Sequence, residues 1–339
     1  MLNRVVTALA AISFAVASAA AWSQAKDIRW GTGPVGSVGH KSLVVLADLL
    51  NKEMPKYRIT VLPTAGAVTT VKGFATGEYD GFYGSDITFH EIATDSGRFK
   101  GFKPNIKRMP VQSLWTFTIE GTLGVKASDA GRYKSWADFA GKRLFTCSPP
   151  FDVRAHLERA LAALGIKFQY VPIDLSTAGS QLQAGTIDAI CIYTGAESTP
   201  PPWLSEASLA VDWAAVNPSA DEIAKLKKQG FTTVELSPTV FKRDVHVSKV
   251  TELPFFFGFD VGLNVPADDV YQMLNIIEKH AAELAKSDSG FAQLAKDMAG
   301  FQRRGVESSW DLVPIHPGLA KWMREKGVWD AKWDSKIAK

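Results

Sequence analysis

The segment Gly31-Thr-Gly33-Pro-Val-Gly36-Ser-Val-Gly39-His40 joins a short extended run, Asp27 to Gly31, to the helical pattern Ser42 to Lys52, whose apolar face is Leu43, Leu46, Ala47, Leu49 and Leu50. A glycine-rich turn from a strand into a helix gathers backbone N–H groups and the positive end of the helix dipole at one place, which attracts an anion. The spacing Gly31-x-Gly33-x-x-Gly36 also has the form of a dinucleotide fingerprint, but that fingerprint needs an acidic residue at the end of the next strand. The next strand, Tyr57 to Leu62, ends in Pro63-Thr64-Ala65-Gly66 and offers none. An anion loop remains, beside the plainer reading of a turn whose glycines let the helix pack closely on the sheet.

The same plan recurs along the chain. Thr64-Ala65-Gly66-Ala67-Val68-Thr69-Thr70 is a second strand-to-helix loop, its helix running from Val71 to a stop at Gly77, and Tyr79 to Gly84 is a third strand that delivers Ser85-Asp86 to another helix start. Three successive βα units make a parallel sheet with its loops at the carboxyl edge, where open α/β sheets bind ligands. The β-like stretch Val111 to Val125 crosses into a second lobe, where βα units return. There the strand Leu144 to Cys147 leaves through Ser148-Pro-Pro150-Phe151-Asp152-Val153-Arg154 into a helix from Ala155 to Leu164. Further strands follow at Phe168 to Ile173 and Ile187 to Tyr193. The apolar run Phe255 to Leu263 brings the chain back, and Asp268 or Asp269 can cap a helix through His280. The fold class is therefore α/β, with two lobes, each a mostly parallel sheet flanked by helices.

Ser85, Asp86 and His90 stand close enough to suggest catalysis, but no G-x-S-x-G elbow surrounds the serine, and both Ser85 and Asp86 favour helix N-caps. The histidines are widely scattered and show no metal-ligand spacing. The formal net charge of +3, without a Lys/Arg run, argues against nucleic acid. Arg4 precedes the apolar run Val5 to Ala21, and Ser23-Gln24-Ala25 follows, which is the pattern of a secretory signal cleaved after Ala21, Ser23 or Ala25. The mature chain is expected to be exported to the periplasm, with no membrane insertion once the signal is removed. In an oxidising compartment Cys147 and Cys191 are either a disulfide or two buried thiols. The tryptophans near the end, Trp310, Trp322, Trp329 and Trp333, read as packing anchors.

Several stretches together resemble the TAXI-type solute receptors of TRAP transporters: Gly31 to Gly36, Pro63-Thr-Ala-Gly66, Ala75 to Asp86, Gly185-Thr-Ile-Asp-Ala189 and Val313-Pro-Ile-His-Pro-Gly318. The resemblance spans the mature chain and implies the type II periplasmic binding protein fold, with a ligand cleft between the lobes. It also implies capture of a small organic anion and delivery to TRAP integral membrane subunits, no enzymatic activity, and a structural role for His316. The implied boundaries are a signal over 1–25, a first lobe over 26–118 and 255–339, and a second over 119–254. In the ligand loops the chain departs from the family. Ser37, Val38, Gly39 and His40 replace a glycine, a threonine and paired tyrosines, and Pro150 to Arg154 replace a Gly-Ser-Gly-Thr-Arg run. These changes take the loops away from the donor set of receptors for glutamate or 2-oxoglutarate.

The expected ligand contacts are Val35, Gly36, Ser37, Val38 and His40 in the first loop, Thr64, Gly66, Ala67 and Thr69 in the second, and Ser85 and Asp86 in the third. The second lobe adds Pro150, Phe151, Asp152, Val153, Arg154, Tyr193 and Thr194, with Arg154 as the salt link to an anion. The alternatives are a receptor of the same fold serving an ABC importer or a sensor, and an exported enzyme using Ser85, His90 or Cys147.

Overall fold

The computed structural model describes residues 25–339. The apolar run read as an export signal lies outside the described residues. In the first part of the chain β1 (Lys26–Thr32), α1 (Val38–Glu53), β2 (Tyr57–Pro63), α2 (Ala67–Thr76), β3 (Gly81–Ser85) and α3 (Asp86–Ala93) form the three expected βα units. β4 (Trp115–Lys126) then leads to β5 (Arg143–Phe145), α4 (Asp152–Ala163), β6 (Gln169–Tyr170), α5 (Ala178–Gln183) and β7 (Ala189–Gly195). The remainder comprises α6 (Pro202–Ala210), β8 (Trp213–Val216), α7 (Ala220–Lys228), β9 (Val234–Leu236), β10 (Val250–Val261), α8 (Ala267–Ser287), α9 (Ala292–Ser309) and α10 (Pro317–Glu325).

The strands make a single ten-stranded sheet in the order β2-β1-β3-β10-β4-β7-β5-β6, with β8 on β4 and β9 on β10. β2, β1 and β3 are parallel, as are β6, β5 and β7, so each expected βα set is present. The sheet differs from two separate, mostly parallel ones. The long strands β4 and β10 run antiparallel to each other and to their outer neighbours, and they fuse the two sets into one mixed sheet. Their length follows from composition: both are rich in threonine, phenylalanine and β-branched residues and are almost wholly buried.

Helix boundaries shift for local reasons. α1 starts at Val38 rather than Ser42, because Ser37 accepts a hydrogen bond from His40 N and caps it. α4 starts at Asp152 rather than Ala155, and β6 holds two residues instead of the six from Phe168 to Ile173. Pro266 stands at the N-cap of α8, and Asp268 and Asp269 fall in its first turn, where a carboxylate suits the helix dipole. Ser85 caps α3 in a capping box with Thr88.

Cys147 and Cys191 form a disulfide between the exit of β5 and the middle of β7. Trp322 and Trp333 are wholly buried, and Trp310 and Trp329 pack against the same core. His316 is buried between its prolines. Its Nδ1 accepts from Gly318 N at 3.1 Å, capping α10, while Nε2 donates to Val265 O at 3.1 Å. No helix among the described residues is long and apolar enough to cross a membrane.

Candidate functional site

At the carboxyl edge of the sheet lies a crevice that encloses about 480 Å3 of space when its open mouth is counted. The β1–α1 loop contributes Gly33, Pro34, Ser37, Val38 and Gly39. The β2–α2 loop contributes Gly66 and Ala67, and the β5–α4 loop contributes Pro150, Phe151, Asp152 and Val153. The sheet supplies the floor with Tyr83 of β3, Ile119 of β4, Tyr193 of β7 and Phe257 of β10. The two βα sets thus face each other across it. They approach closely: a Cβ on Gly66, which has φ +145°, would stand 3.4 Å from Pro150 O.

Two features make the crevice a place of donors on an apolar bed. First, α1, α2 and α4 all begin there, and neither α2 nor α4 has a side-chain cap, so first-turn N–H groups are free to meet an acceptor. Second, Tyr83 lies flat on Phe257, with centroids 4.4 Å apart, and α1 can come this near only because residue 39 is glycine. A Cβ there would sit 2.7 Å from Tyr83 Cζ. Burial pushes the Tyr83 phenol well above its ordinary value, with Asp152 and Tyr193 adding to the shift, and burial pushes Tyr193 up to about 12. Both phenols keep their protons at neutral pH. Tyr193 Oη accepts from Trp203 Nε1 at 3.1 Å, which leaves its own proton to donate.

None of the residues lining the crevice is basic. Its one carboxylate, Asp152, is occupied: Ser85 Oγ donates to Oδ2 at 2.5 Å and Arg98 Nη1 lies 2.6 Å from Oδ1. Arg98 also pairs with Glu91, with Nε 2.8 Å from Oε2, and donates to Pro150 O at 3.3 Å. Residues of the first βα set therefore grip the first turn of α4 in the second.

Of the contacts expected from sequence, Ser37, Val38, Gly66, Ala67, Pro150, Phe151, Asp152, Val153 and Tyr193 come together around the crevice. The others lie elsewhere. Val35 and Gly36 are exposed at the tip of the loop, Thr69 points to solvent from α2, and His40 sits half-buried in the first turn of α1. Thr64 braces its own loop by donating to Thr32 O at 2.7 Å and accepting from Gly66 N. Ser85 is behind Asp152. Asp86 accepts from Phe256 N at 3.2 Å and faces a separate groove lined by Pro254 and Phe256 of β10, and burial raises it to about 7. Thr194 is buried behind the crevice wall between Glu120 and Glu252.

Arg154 also lies outside the lining. Its Nε donates to Glu158 Oε1 at 2.7 Å, one helical turn on, and its guanidinium lies 3.6 Å over the Tyr170 ring. Tyr83, Ile119 and Phe257 were not among the expected contacts. Tyr83 stands on an expected strand, Ile119 in a stretch read as β-like and Phe257 in one read only as an apolar run, and which of two alternating faces looks into the crevice is decided by the sheet order, which the sequence does not display.

An α/β chain whose two βα sets close over a crevice at their carboxyl edges has the construction of a protein that encloses a ligand. A family model described as the NMT1-like family matches residues 30–327, and the chain belongs to that family. No curated protein sequence matches it. Solved structures resemble it at low identity. The periplasmic aliphatic sulphonate binding protein SsuA from Escherichia coli is 15% identical, with 89% of this chain and 91% of that chain covered at a TM-score of 0.44. A putative L-cystine ABC transporter protein from Listeria monocytogenes is 15% identical, with 78% and 96% covered at 0.44. The ligand-binding component of an ABC-type import system from Staphylococcus aureus is 10% identical, with 93% and 96% covered at 0.46.

Proposed function

We propose that the exported chain is a periplasmic solute receptor that closes over one small organic anion and hands it to a membrane permease. The observation that carries this reading is the convergence of three helix starts, from both βα sets, and two protonated phenols on one apolar crevice. The arrangement suits a ligand with acceptor oxygens at one end and an apolar body. The oxygens meet amide N–H groups and the phenols of Tyr83 and Tyr193, and the body lies against Phe151, Ile119 and Phe257. In this reading no arginine salt link is used, and Arg154 serves α4 itself. The lobes are 26–118 with 255–339, and 119–254, and they rock about β4 and β10 so that the ligand favours the closed form. The resemblance in sequence supports TRAP integral membrane subunits as the partner. An ABC importer or a sensor would read the same closed form, and co-purification of the mature chain with cognate TRAP subunits distinguishes them. The receptor is not an enzyme, so a bound compound is recovered unchanged.

The test is a thermal-shift screen of the mature protein against carboxylates and sulfonates with aliphatic and aromatic bodies. A compound at a hundred times its dissociation constant stabilises by about 2.7 kcal/mol. Chemical turnover of a bound compound would overturn the reading.

A further inference from the structure

We infer that Glu120 and Glu252 bind one proton between them, at the strands that join the two halves of the sheet. Glu120 is on β4 and Glu252 on β10, and neither is exposed to solvent. Between them stands the hydroxyl of Thr194 on β7, whose Oγ1 is 2.7 Å from Glu120 Oε2 and 2.7 Å from Glu252 Oε2. A threonine hydroxyl has one proton to donate. It satisfies one carboxylate, and the other oxygen then meets the hydroxyl's lone pairs. Two acceptors hold a 2.7 Å contact only with a proton between them, so the second carboxyl must be protonated and donate to Thr194.

The surroundings agree. Glu197 N donates to Glu120 Oε2 at 3.0 Å, while Oε1 of Glu120 and Oε1 of Glu252 have no partner among the described residues. Two bare carboxylates in such a place would be costly. The ionisable groups on the neighbouring elements do not neutralise them. Glu197, in the turn after β7, adds a negative charge, Glu235 of β9 is paired with Lys249, and Asp297 of α9 with Arg304. Asp288, ahead of α9, faces Lys41. Among the described residues no basic side chain forms an ion pair with Glu120 or Glu252. Burial raises both groups, Glu120 to about 8.

The proton sits directly behind the crevice wall. Ile119 and Tyr193 line the crevice, and the next residues along their strands, Glu120 and Thr194, point to the opposite face. A change in the angle between the halves would move Thr194 against the two glutamates. The proton itself follows from the hydrogen-bond geometry, whereas the movement of the halves rests on the receptor reading above.

The experiment is urea unfolding of the mature chain from pH 5.5 to 9, comparing wild type with Glu120→Gln and Glu252→Gln. The folded state holds a proton that an ordinary glutamate in the unfolded chain has lost. This proton should therefore contribute a loss of up to tenfold per pH unit to the wild-type folding equilibrium constant as pH rises from about 4.5 towards about 8, beside the changes due to groups such as Asp86 and His316 that all three proteins share. Each glutamine variant should lack one proton's worth of that slope, and the slope rather than the absolute stability is the readout. Equal slopes in all three proteins would overturn the proton site. So would stabilisation at pH 8.5 by sodium or calcium, relative to tetramethylammonium, that both variants abolish, because the pair would then hold a metal ion. A slope that is lost in the variants while no organic acid binds would leave the proton and remove the receptor reading.

Discussion

Arg98 and Asp152 meet beside the crevice with Nη1 2.6 Å from Oδ1, and the aspartate side chain is 1% exposed. The pair ties the first βα set to the first turn of α4, and it neutralises the one carboxylate of the crevice lining. Its charge is spent on Arg98 and Ser85.

Arg98→Ala leaves Asp152 buried without its cation. Breaking a buried pair from one side costs about 3 kcal/mol. Denaturant unfolding should register that loss, and small-angle scattering should show a larger radius of gyration. An unchanged midpoint would mean that the contact holds nothing together.

Tyr83→Phe and Tyr193→Phe each remove one phenol from the crevice while keeping the ring. Each should weaken binding of a compound found in the thermal-shift screen by roughly five- to tenfold, the value of about 1 kcal/mol for one hydrogen bond. For Tyr83→Phe the melting temperature without ligand should barely move. Titration calorimetry measures the affinity.

The disulfide between Cys147 and Cys191 spans a sequence separation of 44. Replacing both cysteines by serine should destabilise the chain by about 4 kcal/mol on chain-entropy grounds. Equilibrium unfolding of the variant, compared with the oxidised wild type, checks the figure.

His316 is held neutral, with burial lowering it to about 4 despite its bonds to backbone carbonyls. A histidine depressed in the folded state gives stability that is present above its unfolded value of 6.5 and is lost as pH falls towards 4. Protonation at Nδ1 also removes the cap on α10. His316→Asn keeps a capping side chain without the titration, so the difference in stability between wild type and variant should shrink or reverse as pH falls through this window.

The βα units, the loops at their ends and the cap at Ser85 were legible in the sequence because each rests on local periodicity and turn chemistry. Arg154 lies outside the crevice lining for a reason that the sequence also carried. Once α4 begins at Asp152, Glu158 stands four residues after Arg154 on the same helix face and takes its charge. What could not be read was the meeting of elements distant along the chain. Arg98 and Asp152 are brought together by the order of the sheet, as are Glu120, Thr194 and Glu252, and the crevice floor of Tyr83, Ile119 and Phe257. Pattern along the chain fixes which residues alternate, and only the strand order fixes which face they share.

The proposed receptor holds one ligand in the crevice between α1 and the first turn of α4. Gly39→Val probes that position, because the valine side chain enters the space now shared with the Tyr83 ring. The measurement is titration calorimetry of wild type and Gly39→Val with the compound that stabilises the wild type most. Binding of one molecule per wild-type chain and at least a hundredfold weaker binding to a folded Gly39→Val protein is the expected result. Equal affinity in the two proteins would place the ligand outside this crevice.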